Sequence, residues 1–148
     1  MARTYTKLIY HIVFSTKERI PLITTEIRDR LYEYLGGVIR GEKGSLMEIG
    51  GMPDHVHILA RFGAAIAVSE MLKRIKGSSS HWLSQATGTW FAWQNGYGAF
   101  SVSESQVAAV RKYIQQQEEH HKRISFKDEL ISLLRKHRIE FDESDLFD

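Results

Sequence analysis

The run from Thr6 to Ser15 constrains the fold most, because β-favouring residues alternate along it with apolar groups on both sides. Leu8, Tyr10, Ile12 and Phe14 point one way and Ile9, His11 and Val13 the other. Such a strand is buried on both faces. Everything after it must supply that cover.

Thr24 or Thr25 can cap a helix running to about Arg40, with Ile27, Leu31, Leu35, Val38 and Ile39 as its apolar stripe and Gly41 marking its end. Two strands follow, Ser45 to Ile49 and His55 to Phe62, joined as a hairpin by Gly50-Gly51-Met52-Pro53-Asp54. A second helix starts near Ser69 and turns Met71, Leu72, Ile75, Trp82 and Leu83 inward, with Gly77 and three serines weakening its middle. Trp90 to Ser103 reads as the last strand, interrupted around Asn95-Gly96-Tyr97-Gly98. The order β-α-β-β-α-β predicts an α+β, ferredoxin-like (RRM-like) antiparallel sheet with two helices on one face and the other face open. Two further helices are expected. One spans Glu104 to Lys122 and can lie across the open face; the other, Phe126 to His137, offers apolar side chains for burial and no catalytic group.

The chemistry concentrates on the second strand of the hairpin. His55 and His57 flank Val56, so they project from one face while Val56 and Ile58 enter the core. Two imidazoles on one face make half a metal site. On the expected third helix, Tyr113 and Gln117 are four apart and share a face, adding a nucleophile and a neutral oxygen ligand. His120 can join or replace Gln117, although a solvated helix-end histidine is the plainer reading. His11 suits a core position or one that orients a ligand. Trp82, Trp90 and Trp93 read as core more than as base-stacking platforms.

At 148 residues with no cysteine, the chain suits one compact domain over residues 1–148 and excludes thiolate metal sites. Neither a signal peptide nor a membrane span is evident at the start, so a soluble cytoplasmic protein is expected. The net charge of +2 conceals an acidic tail at 139–148, which holds five acids and no Lys or Arg and leaves 20 bases against 13 acids, a net of +7, in residues 1–138. A basic body fits a polyanionic partner, and Lys73, Arg74, Lys76 and Arg111 are its candidate DNA contacts.

In their order and spacing these motifs carry a family resemblance. Tyr10-His11-Ile12-Val13-Phe14, Met52-Pro53-Asp54-His55-Val56-His57, Lys73-Arg74-Ile75-Lys76-Gly77, Trp93-Gln94-Asn95-Gly96-Tyr97, Tyr113-Ile114-Gln115-Gln116-Gln117 and the ending around Ile139-Glu140-Phe141-Asp142 make the chain similar to the single-tyrosine HUH transposases of small insertion sequences, which include the REP-associated tyrosine transposases. The resemblance implies that His55, His57 and Gln117 bind a divalent metal, Mg²⁺ or Mn²⁺. It implies that Tyr113 attacks single-stranded DNA at hairpin-bearing ends, giving a 5′-phosphotyrosine and a free 3′-OH. It also implies a homodimer whose sites combine the histidines of one subunit with the tyrosine helix of the other. A donor set of two imidazoles and one amide would leave the cation's charge intact. Three other readings stay open: a nucleic-acid-binding module without catalysis, a phosphodiesterase in which water attacks, and a host-retained transposase acting on repeated palindromes. The general base is open among His11, His120 and the metal.

Overall fold

The computed structural model describes residues 2–147. Its elements are β1 (Leu8–Ser15), α1 (Thr25–Gly41), β2 (Ser45–Met52), β3 (His55–Phe62), α2 (Val68–Thr87), β4 (Gly98–Val102), α3 (Val107–Gln115), the single-turn α4 (Gln117–His120) and α5 (Phe126–Lys136). The strands form one sheet in the order β2-β3-β1-β4, antiparallel throughout, which is the expected ferredoxin-like arrangement.

The two-sided pattern of β1 sets the layers. Ile12 and Phe14 join Val56, Ile58, Leu31, Leu35, Ile39, Met71, Leu72 and Ile75 in a core between the sheet and α1 with α2. On the other face Val13 packs with Phe100, Phe126, Leu130 and Leu134, and Ile9 with Leu59 and Ile114. That second face is therefore covered by α3 and α5. Burial of each large aliphatic group contributes about 1.5–3 kcal/mol, so both layers hold the sheet.

Several expectations are corrected. The Gly50–Asp54 connection is not a loop: β2 continues through both glycines to Met52, leaving Pro53 and Asp54 as the turn. Helix α1 does end at Gly41, but the left-handed residue that follows it is Lys43, with φ 64°. Helix α2 is unbroken across Gly77 and the serines, and there Ser78 and Ser80 donate back to the carbonyls of Arg74 and Gly77. The last strand is five residues long, and Trp93 makes only an isolated bridge to Thr16. Its indole N–H instead donates to the buried Ser79 hydroxyl at 2.9 Å, while the ring meets Phe14 edge-on. Trp90 is the exposed tryptophan, and Trp82 stacks on Tyr34.

The expected Glu104–Lys122 helix is also broken. Helix α3 ends at Gln115, Gln116 takes φ −101° and ψ 21°, and α4 starts anew at Gln117. The acidic tail folds back, with Phe141, Leu146 and Phe147 packed on the α5 cluster and Arg19 over the Phe147 ring. Asp148, the last acid of the tail, lies outside the described residues. No helix is long and apolar enough to cross a membrane among the described residues.

Gly50 sets how closely α3 can approach the sheet, since a Cβ there would stand 2.6 Å from the Ile114 carbonyl oxygen. Gly50→Ala is expected to cost about 1–3 kcal/mol by urea unfolding. Gly77→Ala, which meets nothing within 4 Å on α2, is expected to stabilise by about 0.4–1 kcal/mol in the same measurement.

Candidate metal and tyrosine site

β3 places the two histidines. Opposite Val13 and Ser15 in the sheet, His57 and His55 point away from the α1/α2 core, and both are fully buried beneath α3, α4 and α5. Their outward nitrogens are tied down by neighbours. His55 Nδ1 lies 2.8 Å from Asp54 Oδ1, and His57 Nδ1 lies 2.8 Å from His11 Nε2. His11 thus sits behind a candidate ligand, where it can fix that ring's orientation.

The break at Gln116 brings two side chains down together. Gln117, 2% exposed, points its Oε1 to 3.1 Å from His55 Nε2 and 3.0 Å from His121 Nε2. His121 Nδ1 is 2.9 Å from the Ile124 carbonyl oxygen, so this ring too turns its Nε2 inward. From α5 comes Glu129, 1% exposed, whose Oε1 lies 2.9 Å from His57 Nε2, 3.1 Å from His121 Nε2 and 3.5 Å from His55 Nε2. One ligating atom from each of His55, His57, His121 and Glu129 falls within 4.8 Å of the rest.

This donor set fits a divalent cation. Asp54 and the Ile124 carbonyl accept at Nδ1 of His55 and His121, so with neutral rings the Nε2 lone pairs would face acceptor oxygens. Such a cluster is reconciled only by shared protons or a shared cation. Its separations near 3 Å match the edges of a polyhedron with metal–ligand bonds of about 2.0–2.2 Å.

Tyr113 closes the site. Its hydroxyl donates to Glu129 Oε2 and lies 3.5 Å from His120 Nε2, while its ring stands edge-on to His57. His120 Nε2 is itself 3.1 Å from Glu129 Oε2, and this side chain is 30% exposed, at the rim of the cluster. A single chain therefore brings Tyr113 to its own histidines.

Glu129 and His121 were missed by sequence reasoning. The structure overturns the expectation that the last helix holds only apolar packing, and a carboxylate joins the otherwise neutral donors. Glu129 occupies the inward stripe of α5, between Phe126 and Leu133, and a charged residue in an apolar stripe is the available signal. The candidate DNA contacts are scattered. Lys73 and Arg74 are exposed on α2, across the sheet from this cluster, where Arg74 pairs with Glu42 and Glu70. Lys76 donates to the Gly96 carbonyl. Arg111, on α3, donates to the Met47 carbonyl at 2.7 Å.

Electrostatics follow from burial and contacts. Burial opposes a charge on His55, but hydrogen bonds to Asp54 and Glu129 outweigh it and push its pKa up to about 8. Burial and the neighbouring His57 lower His11 to about 3. Burial also raises Tyr113, as does its hydrogen bond to Glu129. Glu129 is itself buried, yet the hydrogen bonds from His55, His57 and Tyr113 hold its carboxyl far below the usual range. The folded value of His55 exceeds the ordinary 6.5, so the stability it contributes is complete below pH 6.5 and lost as pH rises through about 8. Thermal unfolding of chelator-treated protein across that window is expected to reveal a loss of about 2 kcal/mol that His55→Gln removes.

Comparisons with known proteins give the family of the chain. The family model described as "Transposase IS200 like" matches residues 4–117. The ISDra2 transposase TnpA of Deinococcus radiodurans is 28% identical over 118 residues, which are 75% of this chain and 84% of that protein. A crystal structure from Deinococcus radiodurans R1, described as that of a transposase, superposes with a TM-score of 0.63 at 28% identity, covering 79% of this chain and 96% of that one. A REP-associated tyrosine transposase bound to a REP hairpin shares the fold, with a TM-score of 0.62 at 18% identity over 84% of this chain and 74% of that one. The chain belongs to the IS200-like transposase family, whose members are DNA-cleaving and strand-transferring enzymes.

Proposed function

We propose that the protein cuts and rejoins single-stranded DNA through Tyr113, at ends that carry a hairpin. The observation that carries this reading is the meeting of the Tyr113 hydroxyl with the buried cluster of His55, His57, Gln117, His121 and Glu129. A hairpin target is supported by the fold shared with the REP-hairpin complex. In the cutting step the phenolic oxygen forms a bond to phosphorus and the P–O3′ bond breaks. The departing 3′ oxygen keeps the electron pair and gains one proton, and the phenol gives one up. The ester retains the energy of the broken bond, so reversal by another 3′-OH rejoins strands without ATP.

Tyrosine is a weak nucleophile at neutral pH, and the raised pKa of Tyr113 means that it needs help to lose its proton. Glu129 accepts its hydrogen bond and orients it, but the contacts that keep that carboxyl ionised make it a weak base, so His120, beside the hydroxyl, is the group placed to receive the proton. His55, His57 and Gln117, with His121 and Glu129, would hold a divalent metal, which would supply Lewis acidity at the scissile phosphate. Three imidazoles with amide and carboxylate oxygens suit Mn²⁺ better than Mg²⁺. We infer that the site works within one chain, because Tyr113 already lies against its own His57. Arg111, Lys73, Arg74 and Lys76 are our candidate phosphate contacts for the flanking hairpin.

The deciding experiment incubates labelled single-stranded DNA from palindromes flanking the gene with protein and Mn²⁺, followed by denaturing electrophoresis. A protein–DNA adduct is expected that EDTA and Tyr113→Phe each abolish. Released DNA ends without an adduct would mean that water attacks. Mixing His57→Ala with Tyr113→Phe protein is expected to restore nothing, and restored cleavage would overturn the one-chain site. In calorimetric Mn²⁺ titrations, His121→Ala and Glu129→Gln are each expected to weaken binding about 10–100-fold.

A further inference from the structure

The nucleophile stands at the wall of a larger space. A cleft of about 730 Å³ runs between α3 and α5 along β4, with Tyr113, His120 and Glu129 at its inner end. That volume falls within the roughly 300–1,000 Å³ typical of small-ligand pockets. Its outer walls mix flat apolar surface with hydrogen-bonding groups: Ala109 and Val110 on α3, Ser101 and Ser103 at the end of β4, and Ser132 and Lys136 on α5. His137 also lines it, its ring stacked on Phe100 at 4.4 Å and its Nδ1 2.9 Å from the Leu133 carbonyl oxygen. A flat aromatic guest with a polar edge and an attached phosphate would match these walls, with Lys136 adding positive charge.

We propose that this cleft is a nucleotide pocket that receives the base immediately 3′ of the scissile phosphate, the nucleotide that becomes joined to Tyr113. The inference rests on Tyr113 acting as the nucleophile. Attack and departure at phosphorus are roughly in line, so the strand ending in the 3′ oxygen must leave on the side opposite the phenol. The 5′ oxygen of the next nucleotide is not on that axis, and its sugar and base can lie beside the tyrosine. The cleft is on the tyrosine's side. A base held there would keep the covalently attached strand from swinging free until a new 3′-OH arrives, and pocket shape together with the serines would select which base follows the cut.

Ala109 is exposed on α3, so Ala109→Trp fills the cleft without disturbing the core or the cluster, and Ser132→Trp does so from the opposite wall. Adduct yields are compared for both variants and wild type on intact oligonucleotide, on one abasic just 3′ of the cut, and on one abasic just 5′ of it. On intact DNA the variants are expected to lose about tenfold, equivalent to one stacking contact. The 3′ abasic substrate should slow wild type by a similar factor and erase its advantage over the variants, while the 5′ abasic substrate preserves that advantage. Equal yields on intact DNA, or an advantage erased only by the 5′ lesion, would overturn the pocket. A second reading needs no cleavage: 2-aminopurine is placed at each position in turn and its fluorescence followed on binding to EDTA-treated protein. The position just 3′ of the cut should respond to wild type and not to Ala109→Trp, and identical responses at every position, or a response confined to the 5′ side, would also overturn it. Absence of any adduct, with that position-specific response intact, would count against the tyrosine chemistry and leave the pocket supported.

Discussion

The buried carboxylate of Glu129 is the contact on which the second face of this molecule depends. It is the meeting point of His55 and His57 from the sheet, Gln117 from α4 and His121 just after it, and Tyr113 from α3. An uncompensated carboxylate at that depth would be costly. The surrounding hydrogen bonds offset that cost, and they also fasten three separate elements to one point. The helix that carries Glu129 is otherwise held by Phe126, Leu130 and Leu134 against Val13 and Phe100, so apolar packing and the polar cluster position it jointly. The segment matched by the family model ends at Gln117, so His121 and Glu129 are contributed from beyond it.

Strand and helix periods made most of the scaffold legible. The alternation of β1, the stripe of α1 and the hairpin at His55 led to the observed sheet order because each follows a local rule that tertiary packing reinforces. Errors fell where long-range contacts decide. Nothing local announces that Gln116 ends a helix, since what favours the break is Gln117 reaching down to His55 and His121. The strand expected at Trp90 gave way because Trp93 packs on Phe14 and bonds Ser79 of α2 instead of extending the ladder.

The site was partly legible for the same reason. His55 and His57 stand at a spacing that strand geometry alone brings to one face, and the chain gathers Tyr113 and Gln117 with them, although across the break at Gln116 rather than on one helix face. His121 is hidden in sequence beside His120. Glu129 shows there as a charge within the apolar stripe of α5, but its partners appear only once that helix is folded over the sheet. The carboxylate alters the expected character of the candidate metal site, from a neutral donor set that would leave a cation's charge intact to one that would temper it.

The two-residue turn at Pro53-Asp54 has an evolutionary consequence. β3 alternates Val56 and Ile58 toward one core with His55 and His57 toward the other face, and Asp54 in the turn bonds His55 directly. Inserting or deleting one residue there would shift the strand by a single step and exchange the two sets, driving imidazoles into oil and aliphatic groups into the ligand cluster. Elsewhere surface loops can drift in length as lineages diverge. This turn is a fixed ruler, and its length should be among the last features such a lineage abandons.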